Sequence, residues 1–217
     1  MSTIAQNLTD LNKDLPAYVQ LVAVSKTKPS EALMEAYQAG QRDFGENKVQ
    51  EMQEKWNRLP GDIRWHMIGH LQRNKVKYLA PFVHLIHAVD SFRLLKEINK
   101  QGAINNRVIN CLLQIKIARE DSKFGLSADE AGILLEDGKL RQLKNVSIKG
   151  LMGMATFTDD QAQLREEFSF LSELYDSWKE KYGFSILSMG MSGDFELAIE
   201  HGSNMVRIGS AIFGARQ

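Results

Sequence analysis

The sequence predicts an α/β chain closed into a single (β/α)8 barrel of the TIM type, and three observations point there. Eight short apolar runs recur along 217 residues. Amphipathic segments with helical spacing lie between them, the alternation that builds a parallel sheet. The first run, Leu21-Val22-Ala23-Val24, is apolar throughout and rich in β-branched valine, as in a strand buried on both faces. Barrels of this kind usually take about 250 residues, so the loops must be short. Residues 1–217 are therefore expected to form one domain.

An N-terminal helical stretch precedes the first strand, expected at residues 21–25. The other seven are expected at 42–45, 65–68, 83–89, 108–117, 146–154, 185–189 and 205–208. After the first strand, Ser30 and Glu31 mark a helix start, Leu33, Ala36 and Tyr37 share a face, and Gly40 stops it. Val49, Met52 and Trp56 then repeat at helical intervals. The longest helix is expected over 159–183, with Leu164, Phe168, Leu171, Tyr175 and Trp178 on one stripe. An open doubly wound sheet is the competing architecture. It needs a glycine-rich first turn to hold a dinucleotide, and Ser25-Lys26-Thr27-Lys28-Pro29 is not one.

Composition narrows the function classes. Lys+Arg and Asp+Glu both number 27, so no broad electrostatic footprint for nucleic acid or an anionic membrane exists. The single cysteine, Cys111, falls inside an apolar run and reads as a buried thiol in a reducing compartment. No stretch approaches the roughly 20 apolar residues of a membrane span, and the N-terminal residues are too polar for a signal peptide. The chain is read as cytoplasmic.

Leu21-Val22-Ala23-Val24-Ser25-Lys26 carries the first chemical signal. Alternation along the strand places Val22, Val24 and Lys26 on one face, with the amine at the carboxyl end, where barrels do chemistry. A lysine desolvated there loses part of its charge and becomes a nucleophile for carbonyls. A lysine snorkelling from the strand end to solvent is the competing reading.

The second signal is Met191-Ser192-Gly193-Asp194 followed by Arg207-Ile208-Gly209-Ser210. Ser192 is suited to cap a helix starting near Gly193, and Gly209 and Ser210 offer a close backbone approach and a hydroxyl. The loops after strands seven and eight of a barrel often hold phosphate. Arg207, inward on its strand, needs an acceptor, either a carboxylate of the fold or a group of a ligand. His66 and His70 straddle a strand end and a loop, so the helical spacing of two zinc ligands does not apply and no metal site is expected. Met152 and Met154 read either as core filler or as the wall of a flat ligand.

Together these segments, with Phe44-Gly45-Glu46-Asn47, His66-Met67-Ile68-Gly69-His70-Leu71-Gln72-Arg73-Asn74-Lys75 and Gly150-Leu151-Met152, resemble the pyridoxal phosphate homeostasis proteins. These are single-domain relatives of the alanine-racemase N-terminal barrel, fold type III among pyridoxal-phosphate proteins. The resemblance implies that Lys26 carries pyridoxal 5'-phosphate as an internal aldimine. It implies that Ser192, Gly193, Gly209 and Ser210 hold the phosphate, that Arg207 faces the pyridine nitrogen, and that Asn47 and Met152 lie near the ring. The implied role is buffering or delivery of the cofactor, with an influence on amino-acid and keto-acid balance and no catalytic residues of its own. The partners so implied are the cofactor, free amino acids and pyridoxal-phosphate-dependent apoenzymes, with no nucleic acid, no membrane and a monomeric chain. Full-length racemases add a domain whose tyrosine is the opposite-face base, for which this chain leaves no room. Two other functions stay open: a minimal racemase or lyase working through Lys26, and a cofactor-free isomerase of sugar phosphates.

Overall fold

The computed structural model describes residues 3–119 and 124–214. Its eight strands are all parallel and pair in chain order, β1 closing on β8, so the barrel expected from the sequence is the barrel found. The strands are β1 (Gln20–Val24), β2 (Asp43–Glu46), β3 (Arg64–Met67), β4 (Leu85–Val89), β5 (Ile109–Ile115), β6 (Val146–Gly153), β7 (Ile186–Ser188) and β8 (Met205–Ile208). Each coincides with an expected run to within three residues at either end.

Of the helices, α1 (Ile4–Asp14), α2 (Ser30–Gln38) and α3 (Val49–Trp56) come first. A single turn, α4 (Val76–Leu79), precedes α5 (Phe92–Ile104) and α6 (Ala128–Glu136). The chain ends through α7 (Gln161–Tyr182), α8 (Phe195–Glu200) and α9 (Ser210–Phe213). Capping explains several of these limits. Ser127 and Glu130 form a reciprocal capping box on α6, while Asp160 starts α7 and left-handed Gly183 ends it. Leu164, Phe168 and Leu171 of α7 are buried as its stripe requires, and Tyr175 and Trp178 pack against the core.

Two apolar layers result from the strand alternation. The outer one, between strands and helices, contains Ala23, Phe44, Trp65, Ile86, Cys111, Leu151 and Val206. Burial there raises the Cys111 thiol well above its ordinary range. The inner one fills the barrel with Val22, Leu85, Ala88, Leu112, Met152 and Met205. Among the described residues no helix is long and apolar enough to cross a membrane.

Candidate functional site

The carboxyl ends of β1, β2, β7 and β8 converge at one mouth of the barrel. Lys26 follows β1 by one residue beyond Ser25, on the inward face shared with Val22 and Val24, and is half-buried. Lys28 is engaged elsewhere, its Nζ donating to the carbonyls of Phe213 and Gly214 at 3.0 and 3.2 Å.

The backbone around Lys26 is clamped on both sides. Ser25 donates its hydroxyl to Glu46 Oε1 at 2.6 Å, and its carbonyl accepts from Lys55 Nζ at 2.8 Å. Thr27 stands at φ 65, an outlier for a β-branched residue costing about 1–3 kcal/mol. Its N–H donates to Glu51 Oε1 at 2.5 Å, which offsets part of that strain. Lys55 Nζ ties the two halves together by donating also to Glu46 Oε1 at 2.7 Å and to Glu51 Oε1 at 2.8 Å. Glu46 is completely buried, and burial raises its carboxyl above the ordinary range in spite of Lys55 and Ser25.

Beside β1, at the end of the neighbouring β8, Ser192 Oγ accepts from the Gly209 N–H at 3.2 Å. The two segments proposed from sequence therefore touch. A Cβ at Gly209 would lie 3.1 Å from the Val24 carbonyl oxygen and 3.3 Å from Val24 Cβ, tighter than ordinary contact, so glycine eases the close approach to the strand that precedes Lys26. Gly193, on the turn before α8, and Ser210, the first residue of α9, are exposed beside this contact. One expectation is corrected here: Asp194, not Ser192, is the N-cap residue of α8, and the helix starts at Phe195. The Ser192 hydroxyl is committed to Gly209, and Asp194 Oδ1 accepts from the Met191 N–H instead.

Arg207 is buried in β8 and registers with Val22. It donates to Ser188 Oγ at 2.7 Å and to the Gly153 carbonyl at 2.9 Å. Desolvation pulls the guanidinium down to about 10, with Asp194 opposing. Asn47 follows β2, half-buried, with its backbone so close over Gly69 that a Cβ there would meet the Asn47 oxygen at 2.6 Å. Met152 is fully buried in the inner layer, and the partly exposed Met154 packs against it.

Sequence reasoning missed the polar column inside the barrel. His66 Nε2 lies 2.9 Å from Asp43 Oδ1, and His66 Nδ1 lies 2.9 Å from His87 Nε2. Arg64 binds the Asp43 carboxylate through Nε and Nη2. Burial alone would raise Asp43, but Arg64 and His66 outweigh it and hold the carboxyl well below the ordinary range. His84 brings a third ligand atom within 4.8 Å of Asp43 and His66. The carboxylate of that cluster is already committed to Arg64 and His66. Period-2 counting on β2, β3, β7 and β8 was the available signal, since it places Asp43, His66, Ser188 and Arg207 inward together.

These features suit an aromatic anion carrying an aldehyde: an amine at a strand end, a glycine-lined approach for an anionic group, and a buried guanidinium beneath. Residues 1–217 match the family model described as alanine racemase, N-terminal domain. The pyridoxal phosphate homeostasis protein of Aquifex aeolicus is 40% identical over 201 residues, covering 91% of this chain and 87% of that protein. Its namesake from Vibrio alginolyticus is 39% identical, covering 100% of this chain and 99% of that protein. Among solved structures, PipY of Synechococcus elongatus without pyridoxal phosphate superposes with a TM-score of 0.91 at 36% identity, covering 98% of this chain and 100% of that one. The same protein with pyridoxal phosphate bound gives 0.88 at 35% identity over the same shares. An alanine racemase of Clostridium difficile gives 0.80 at 14% identity, with 57% of that longer chain covered, a likeness of fold alone. This chain belongs to the pyridoxal phosphate homeostasis protein family, on the barrel of the alanine racemase N-terminal domain.

Proposed function

We propose that the chain binds pyridoxal 5'-phosphate and serves its homeostasis in the cytoplasm, holding the cofactor on Lys26 and releasing it to apoenzymes rather than turning over substrate. The observation that carries this reading is the contact of Ser192 with Gly209 beside the end of the strand that precedes Lys26, with Arg207 buried below. The bound cofactor supplies an aldehyde for an amine to capture and an electron-accepting ring.

The chain's own residues do the rest. Ser25 and Thr27, fixed by Glu46, Lys55 and Glu51, orient the Lys26 backbone. Ser192, Gly193, Gly209 and Ser210 receive the phosphate with hydroxyl and backbone donors, and glycine at position 209 lets that backbone lie close against Val24. Arg207 donates toward the pyridine nitrogen and never takes up a proton from it, so that nitrogen stays unprotonated and the ring is a weaker electron sink. Asn47 and the Met152 segment flank the ring. Free amino acids enter by exchange with the Lys26 amine, and the chain works as a monomer.

A minimal racemase or lyase working through Lys26 is the rival, and incubation with L-alanine in deuterium oxide separates the two. The carrier reading expects slow exchange of the α-proton with retention of configuration. Multiple-turnover formation of D-alanine, lost in Lys26→Ala, overturns it in favour of the racemase.

A further inference from the structure

We propose that Asp43, His66, His87 and Ser188 form a positioning array that fixes the Arg207 guanidinium from the far end of the barrel. The assignment deepens the pyridoxal phosphate reading and rests on it for the identity of the ring that Arg207 meets.

The array is continuous and crosses the barrel through five strands. Arg207 Nη1 donates to Ser188 Oγ at 2.7 Å, and Ser188 Oγ lies 3.4 Å from His87 Nδ1, the longest link. His87 Nε2 lies 2.9 Å from His66 Nδ1, and His66 Nε2 lies 2.9 Å from Asp43 Oδ1. Ser188, His66 and His87 are wholly buried, Arg207 is 4% and Asp43 5% exposed. A column of polar groups through an apolar barrel costs several kcal/mol of desolvation per charge unless its members are mutually satisfied.

The two ends dictate the order of donors between them. Arg207 can only donate, so Ser188 Oγ accepts from it. Asp43 is ionised and can only accept, so His66 Nε2 donates. With one proton on each ring, Ser188 O–H then points to His87 Nδ1 and His87 Nε2–H to His66 Nδ1. Every donor points toward Asp43. Burial disfavours the charged form of His87, which suits this order. Hydrogen bonds aligned in one direction polarise one another, so the Asp43 carboxylate strengthens Ser188 Oγ as an acceptor. A guanidinium is a rigid planar fork. Pinned at Ser188 Oγ and the Gly153 carbonyl, its plane is set and its remaining donors are available to a ring nitrogen.

The test begins with cofactor-free protein, by nitrogen-15 NMR of the Arg207 side chain and the imidazoles. Asp43→Asn is expected to shift the Arg207 Nε–H and His87 ring signals, although Arg207 is four hydrogen bonds away. In protein loaded with pyridoxal phosphate, Ser188→Ala and His87→Phe are expected to raise the dissociation constant about tenfold. The same variants should move the pH midpoint of ring-nitrogen protonation in the bound cofactor, read by nitrogen-15 NMR, upward by about one unit, since a loosened Arg207 no longer keeps that nitrogen unprotonated. Ser188→Thr, which keeps the hydroxyl, should restore both. If Asp43→Asn leaves the Arg207 signals in place and Ser188→Ala leaves the pH midpoint unmoved while only lowering the unfolding temperature, the column is packing and the proposal is wrong. Should His87→Phe not fold, Asp43→Asn and Ser188→Ala decide. A wild-type protein that takes up no pyridoxal phosphate would refute the functional reading, and the NMR measurement would still decide the array.

Discussion

Replacing Lys55 by methionine probes the clamp behind Lys26 with little change of shape, since methionine keeps most of the apolar stem that lysine buries. The ammonium group has three protons, and all three are used: on the Ser25 carbonyl, Glu46 Oε1 and Glu51 Oε1. The Lys55 and Glu46 side chains are 7% and 0% exposed, so solvent screens this pair little. Removing one partner of such a pair costs about 3–5 kcal/mol, chiefly from the charge left behind. Glu46 already has its pKa raised by burial, and losing Lys55 raises it further. A carboxyl raised in the folded state contributes stability that is present below its unfolded pKa of roughly 4.3 and lost as pH rises through the folded value. The deficit of Lys55→Met should therefore be largest near pH 8 and shrink toward about pH 5 as Glu46 protonates. Urea unfolding of wild type and variant at both pH values measures it. Adding Glu46→Gln should recover much of the loss at the higher pH. A deficit below about 1 kcal/mol, or one independent of pH, would refute the reasoning.

Three further outcomes are expected. Ser192→Ala and Ser210→Ala should each weaken cofactor binding by about 1–3 kcal/mol, the range for a hydrogen bond to a charged group, with cofactor-free stability in a thermal melt nearly unchanged for Ser210→Ala and lowered by about 1 kcal/mol for Ser192→Ala, which also loses the Gly209 bond. Equal losses of stability and affinity would make them structural residues instead. Gly209→Ala places a methyl group against Val24 and should lower cofactor retention in equilibrium dialysis by at least tenfold, whereas Gly193→Ala, with open space around its Cβ, should not block the approach in this way. Thr27→Gly should relieve the φ 65 backbone and leave the protein no less stable in chemical unfolding, while letting Lys26 wander, which slows cofactor capture in a stopped-flow trace.

Most strands were legible because they are buried on two sides and read as apolar runs, Cys111 included, whereas β2, Asp43-Phe44-Gly45-Glu46, is not one. Lys26 was legible because a two-residue period fixes which side of β1 it occupies. Ser192 was misassigned as a cap, since the sequence cannot say whether a hydroxyl turns to its own helix or to Gly209 beyond another strand. Lys55 reads as a surface lysine four residues after Glu51, the usual helix pair. Its burial follows from how α3 lies over the end of β2, which no local pattern encodes. The Asp43 to Arg207 column escaped for a related reason. Its links come from strands far apart in the chain, and closure of the barrel alone makes them neighbours.

The central claim is that Lys26 is the amine that holds the cofactor, and borohydride reduction of the loaded protein followed by peptide mapping tests it most directly. The expected result is a pyridoxyl label on the peptide carrying Lys26, at Lys26 itself. Label at Lys28, whose Nζ is bound to the Phe213 and Gly214 carbonyls, or at Lys75 in the 3-10 turn that leads into α4, would contradict the account.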